Sequence, residues 1–458
     1  AFGVRIFVAA ALTGFLGLAM MRGFGTAMSL AGLTPYAKTA TYEFSVLPMF
    51  LLLGFLAFHA GITRQVFDAA RIFVGRLPGG LALATVIATA GFSAVSGAST
   101  ATSAVFTRIA LPEMLRTGYA VSISAGVVAA GGTLASLIPP SGILVIYGII
   151  AETSIGKLLL AGFIPGALSA LIYVATIIIL FKLKPSLGPV GEAYGMREKL
   201  AATRKLSGIG LVIAVVLGGL YTGWLTPTET GAAGAFIMLL FCVFRTGFRL
   251  ANLRNALIET AQVSAMIFAI IWAVLIYVRF LGFTGLPGDL AEWVLGIDAN
   301  RYVILLAILL IYVVLGMFMD AIGMLLLTLP VVYPAVMALN GGENVAAADS
   351  TFGMSGTMCA IWFGILVVKM AEFCLITPPI GLNCFVVAGV RPDLSVQDVL
   401  DALARNNSNT GAGYIERYGV QYLIRSPGQL QTMDDIRRVV VAKRDGAPIR
   451  LDELAEIA

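Results

Sequence analysis

Charge is scarce in this chain. Only 12% of its 458 residues are Asp, Glu, Lys or Arg, and 59% are hydrophobic. A soluble globular domain carries about 25% charged residues, so that class is excluded. Histidine is nearly absent. The single one, His59, ends an apolar run and reads as an interfacial residue rather than a ligand. The four cysteines, Cys242, Cys359, Cys374 and Cys384, lack metal-site spacing and read as small buried apolar residues. No nucleophile–base pair stands out, which argues against an intramembrane enzyme. The net charge of +5 matters through its distribution, and no nucleic-acid partner is expected. No signal peptide with a cleavage site is visible. The chain opens on Ala1, directly in an apolar run, so a start upstream of it is expected.

What the chain has is long apolar runs. Mean hydropathy is +0.93. Apolar spans fall near 5–21, 44–60, 79–95, 119–137, 141–151, 158–181, 207–224, 230–244, 257–280, 300–316, 322–338 and 360–390. These lengths predict an all-α polytopic membrane protein set in a lipid bilayer. The 51 glycines suit close helix packing in lipid. Lysine and arginine in short loops set the orientation. Arg64, Arg71 and Arg76, the loop near 182–206, and Arg245, Arg249 and Arg254 are assigned to the cytoplasm. The acidic stretches 281–299 and 339–358 are assigned outside. The assignments alternate only if 79–115 and 300–338 are re-entrant hairpins entering from opposite sides.

The order of features repeats. An amphipathic arm (63–78), an apolar hairpin, Leu111-Pro112, an apolar helix and Pro139-Pro140 come first. An arm (285–298), a hairpin, Leu329-Pro330, a helix and Pro378-Pro379 follow. The second copy carries a polar insertion from Glu343 to Cys359. The predicted architecture is an inverted repeat, about 44–181 and about 257–395, with two re-entrant hairpins and two discontinuous helices. Paired prolines remove two backbone donors, and a bilayer tolerates such a break only where protein buries it or it lines a cavity. Broken helices at matching places in two halves point to a secondary transporter's binding site. A channel would need a continuous polar lining instead.

The candidate site residues lie at these breaks. The first tip, Gly91 to Ser103, offers Ser96, Gly97, Ser99 and Thr100, and Pro139, Pro140, Ser141 and Gly142 form the first break. Freed carbonyls and hydroxyls are hard ligands suited to Na⁺, and half-helix N-termini attract carboxylates. A small-residue packing seam is the other reading of this tip. At the second tip, Asp320 and Gly323 stand between apolar runs, with Thr377, Pro378, Gly381 and Asn383 at the second break. Asp320 reads as an ion ligand or as a helix cap. Lys369 and Glu372 can pair on one helix face, a structural ion pair rather than a proton relay. Thr226-Pro227-Thr228-Glu229 has the form of a structural capping box.

Seven stretches carry a resemblance: SVLPMFLLLGFLAFHAGI (45–62), VGRLPGG (74–80), GFSAVSGASTAT (91–102), LIPPSGILVIYGI (137–149), LTPTETGAAGAF (225–236), GMFMDAIGMLLLTLP (316–330) and LITPPIGLNCFVVAGVRPDLS (375–395). Residues 1–399 resemble the large membrane subunit of tripartite ATP-independent periplasmic (TRAP) transporters. The resemblance implies an elevator-type, Na⁺-coupled symporter in the bacterial inner membrane. It implies a small four-helix membrane subunit and a periplasmic substrate-binding protein as partners, with no cofactor beyond the coupling ion. The implied substrates are organic acids: dicarboxylates, keto acids or sugar acids. One Na⁺ is expected near Ser96–Ser99 with Pro139–Gly142, and a second near Asp320 with Thr377–Asn383.

The chain departs from that pattern in lacking the family's usual first helix before Phe2 and its final helix after Val399. Residues 402–457 instead resemble part of the extracytoplasmic porter region of heavy-metal efflux pumps of the resistance-nodulation-division family. Residues 400–458 therefore read as a fused, small α+β fragment without an independent function; the alternative to a working permease is a chimeric or truncated product with impaired transport. Short strands are expected at 413–415 and 420–425, and a helix at 433–437. Counting spans puts this tail in the cytoplasm. A reporter fused after Ala458 checks it: periplasmic alkaline phosphatase activity overturns the placement and the hairpin count with it.

Overall fold

The computed structural model describes residues 6–244, 249–377 and 381–390, and four short strands near the C-terminus. The chain divides into two units, Ala1–Leu403 and Ala404–Ala458. The first opens with α1 (Ile6–Arg22) and α2 (Phe24–Thr39). The sequence predicts nothing over 24–39, because glycine, threonine and Pro35 dilute its short apolar run. Packing against α1 and the long helix α13 (Leu250–Thr284) makes it helical nonetheless.

The first repeat follows. Helix α3 (Val46–His59) bends by 68° into α4 (Ile62–Val74). Helix α4 is the expected arm: Ile62, Val66, Phe67 and Ala70 are buried, while Arg64 and Asp68 face outward. The first hairpin is α5 (Gly80–Ser96) and α6 (Ser99–Arg116). Tyr119 locks its base: the phenol donates to the Pro189 carbonyl at 2.9 Å and accepts from the Leu81 N–H at 3.2 Å. The broken helix is α7 (Val121–Thr133) and α8 (Gly142–Ile150), followed by α9 (Ile155–Leu183). Then α10 (Met196–Lys205), α11 (Ser207–Thr222) and α12 (Pro227–Phe244) lead on. The Thr226 capping box forms: its N–H meets Glu229 Oε2 at 2.8 Å, and its hydroxyl takes the Glu229 N–H at 3.3 Å.

The second repeat keeps the order. Helix α13 (Leu250–Thr284) precedes the arm α14 (Leu286–Leu295). The hairpin α15 (Arg301–Gly316) and α16 (Ala321–Asn340) comes next, then α17 (Gly356–Cys374) and α18 (Leu382–Val390) across the second break. Five described helices are long and apolar enough to cross a membrane, and seven if each bent pair is one span. The first unit is that of an all-α polytopic membrane protein.

The repeats are cross-linked at the level of single bonds. Tyr147 on α8 donates to the Ala360 carbonyl of α17 at 2.7 Å. Asn383 on α18 donates to the Ala129 carbonyl of α7 at 3.1 Å. Each helix after a break thus reaches a backbone carbonyl of the other repeat's helix before its break. Thr133, the last residue of α7, donates to Glu372 Oε1 at 2.9 Å. Lys369 takes Glu372 Oε2 and the Ser169 hydroxyl of α9, each at 2.8 Å. Glu372 is fully buried and both its oxygens are satisfied, the condition under which hydrocarbon tolerates a carboxylate.

The second unit contains two antiparallel hairpins, β1 (Tyr414–Arg417) with β2 (Val420–Leu423), and β3 (Val440–Arg444) with β4 (Ala447–Arg450). The helix expected at 433–437 lies outside the described residues.

Removing one member of a buried pair strands the other. Lys369→Met should lower stability by about 3 kcal/mol, and adding Glu372→Gln should recover most of it. Thermal unfolding in detergent of the two single variants and the double variant checks this.

Candidate ion and substrate site

Two backbone breaks and one hairpin tip build the site. Ser96 ends α5, and its hydroxyl lies 2.9 Å from that of Thr102. Gly97 follows at φ +62°, a left-handed conformation. A Cβ there would stand 2.3 Å from the Pro140 carbonyl oxygen, so the tip and the break touch through backbone. The Gly97 carbonyl accepts the Gly142 N–H at 3.1 Å. Pro139 and Pro140 are joined by a cis peptide. Every residue from Gly131 to Ser141 is buried, so the break is enclosed in protein. Ser141 is extended and caps α8: its hydroxyl takes the Leu144 N–H at 3.3 Å and donates to the Ser136 carbonyl at 2.5 Å. Thr100 is half-buried, one position after Ser99.

Asn383 joins this cluster. Its amide donates to the Ser99 hydroxyl at 3.2 Å as well as to Ala129. Its N–H bridges the second break to the Leu375 carbonyl at 2.9 Å. Among the described residues three buried oxygens here have no protein partner: Asn383 Oδ1, Ser103 Oγ and Ser136 Oγ. Ser103 lies one turn beyond Ser99, against Gly132. Ser103 closes the hydroxyl-rich tip read from the sequence, and Ser136 carried no signal beyond its place in a small-residue stretch.

At the second tip Asp320 caps α16. Its Oδ2 takes the N–H groups of Ile322 at 3.1 Å and Gly323 at 3.0 Å. Thr377 is half-buried and turns its hydroxyl to the Phe373 carbonyl at 2.6 Å. Among the described residues no hydrogen bond joins Asp320 to Thr377 or Asn383. Gly381 is buried at φ +54°, and Pro378 lies outside the described residues. The tip still meets the end of α17, where Gly316 packs on Cys374.

Hairpins and helices broken at mid-span define a membrane permease. Residues 1–405 match the family described as Tripartite ATP-independent periplasmic transporter, DctM component, and the chain belongs to that family. It is 34% identical to the C4-dicarboxylate TRAP transporter large permease protein DctM of Pseudomonas aeruginosa, over 76% of this chain and 78% of that one. It is 29% identical to the sialic acid TRAP transporter large permease protein SiaM of Vibrio cholerae, over 75% and 76%. The isethionate TRAP transporter permease protein DctMQ of Oleidesulfovibrio alaskensis is 30% identical, over 78% of this chain and 53% of that one. The fold is shared with the solved Alcanivorax borkumensis YdaH transporter, with a TM-score of 0.56 at 14% identity, over 88% and 94% of the two chains. Residues 389–458 match the AcrB/AcrD/AcrF family. The chain is thus a large permease subunit, a multi-pass inner-membrane protein of a transporter that also has a small membrane subunit and a periplasmic binding protein.

Replacing Pro139 and Pro140 together by Ala removes the obstacle to a continuous helix, an obstacle of about 3 kcal/mol per proline. The double variant should fold and insert at normal levels and transport nothing. Full transport by it refutes a working role for the break.

Proposed function

We propose that the chain is the Na⁺-coupled permease of a symporter that imports organic acids handed over by its binding protein, with an elevator-type motion of the hairpins and broken helices. The observation that carries this reading is the trio of unpartnered buried oxygens on Asn383, Ser103 and Ser136. A buried polar atom without a partner is costly unless something absent from the protein satisfies it. Neutral hydroxyl and amide oxygens fit a hard monovalent cation, and among the described residues no cluster of His, Cys, Asp and Glu would suit a transition metal.

In this reading one Na⁺ travels at Ser96, Gly97, Ser99 and Thr100 with Pro139 to Gly142, and Asn383 contributes from the other repeat. A second travels near Asp320 and Gly323 with Thr377, Pro378 and Gly381, where Asp320 keeps Oδ1 free of the capping bonds. Substrate anions named for relatives, a C4-dicarboxylate, sialic acid and isethionate, support an organic anion and extend the class to a sulfonate. The division near residue 400 separates the permease from a tail that takes no part in transport. Support for that comes from its two hairpins of two strands each, a unit that is marginal alone.

Reconstituted with its partner subunits, the permease should lose uptake when the Na⁺ gradient is removed. Equal uptake with K⁺ alone, or with ATP alone, sinks the coupling. Asp320→Asn should weaken Na⁺ dependence far more than protein level. Unchanged Na⁺ affinity in that variant leaves Asp320 as a cap only.

A further inference from the structure

A groove of about 230 Å³ runs between α3 and α13 on one side and the first hairpin on the other. Phe55, Phe58 and Phe92 give it apolar walls, and Ser96 of the tip reaches it. Two charged side chains line it: Arg108 on α6 and Glu259 on α13. They differ in what they meet. Glu259 has His59 beside it, with Nε2 3.1 Å from Oε2. Among the described residues no carboxylate pairs with Arg108. The neighbouring carboxylate, Glu113, is already taken by Arg71 at 2.8 Å and Arg116 at 3.0 Å.

Arg108 is exposed, half-way along the second helix of the hairpin, and has no ion-pair partner among the described residues; an ionisable side chain at such a place in a membrane protein marks a functional position. Its planar fork is shaped for a carboxylate or sulfonate. Apolar walls with a few placed polar groups, here Ser96, Arg108 and Glu259, are the usual make-up of a small-molecule site. Ser96 ties the groove to the ion tip, and the basic arm after His59 assigns this end of α3 to the cytoplasm.

We propose that this groove is a subsite for the transported organic anion on the cytoplasmic side of the ion tip, with Arg108 taking its acidic group. The proposal rests on the reading of the chain as an organic-anion symporter. The carbon skeleton lies against the phenylalanines, and the anion passes Arg108 as it leaves the tip.

The test uses the permease with its partner subunits in vesicles, and succinate, isethionate and sialic acid as probes. Whichever probe the wild type moves is then loaded inside, and its half-saturating internal concentration is read from exchange. Arg108→Gln should raise that concentration about tenfold, the loss of one charge-assisted contact, with Na⁺ half-saturation unchanged. Arg108→Lys should recover part of the loss. The shift should be the same in phosphatidylcholine vesicles and in vesicles with anionic lipid. An unchanged internal half-saturation in Arg108→Gln overturns the proposal. A shift seen only with anionic lipid also overturns it, and assigns Arg108 to a headgroup instead. If Arg108→Gln does not assemble, Arg108→Lys decides: an internal half-saturation raised by less than about tenfold, with Na⁺ half-saturation unchanged, supports the subsite; an unchanged internal half-saturation overturns it, and so does a loss of both variants to misfolding, which makes Arg108 structural. A wild type that moves none of the three probes defeats the underlying reading, a result distinct from a variant that transports as well as the wild type.

Discussion

The structure depends on satisfying backbone and polar groups where water is absent. A helix broken inside a bilayer frees donors and acceptors that each cost several kcal/mol if left bare. This chain breaks two helices and lets each repeat cover the other's exposed groups. Tyr147 reaches from one repeat to a carbonyl of the second, and Asn383 reaches back the other way. Thr133 and Glu372 join the two helices just before they break. Neither repeat is complete alone, because the partners of its polar groups are in the other.

That reciprocity also shapes the site. The first break is closed by the hairpin of its own repeat, through Gly97 and Gly142. Its polar lining is completed by Asn383 from the second repeat, which sits on Ser99. A residue near the second break therefore serves the first tip. Asp320 spends one oxygen on the start of α16, which fixes the carboxylate and leaves the other oxygen directed by that same geometry.

Much of this was legible from local chemistry. Paired prolines announce a break because they delete donors, and the run of small hydroxyl residues and glycine from Gly91 to Ser103 announces a tip; that a side chain at Gly97 would strike Pro140 is visible only in the fold. Hairpin limits followed from apolar length. Lys369 and Glu372 were legible as a pair because they stand three apart on one helix. Their further partners Thr133 and Ser169 were not, since they lie more than a hundred residues away in sequence and carry no pattern. Asn383 was expected near Asp320, and its bond to Ser99 was not legible because Ser99 lies in the other repeat. Helix α2 was missed because its composition is ambiguous and its helicity comes from packing on α1 and α13.

The approach of α3 to the first tip has a mechanical meaning. A Cβ at Gly54 would stand 2.9 Å from the Cα of Ser96, so the two segments meet as bare backbone. Most helix contacts interlock, with side chains of one seated between those of the other, and sliding them requires lifting every tooth out of its notch. At Gly54 there is no tooth. The surface there has the character of a plain bearing, resisting separation through close contact while offering little resistance to shear.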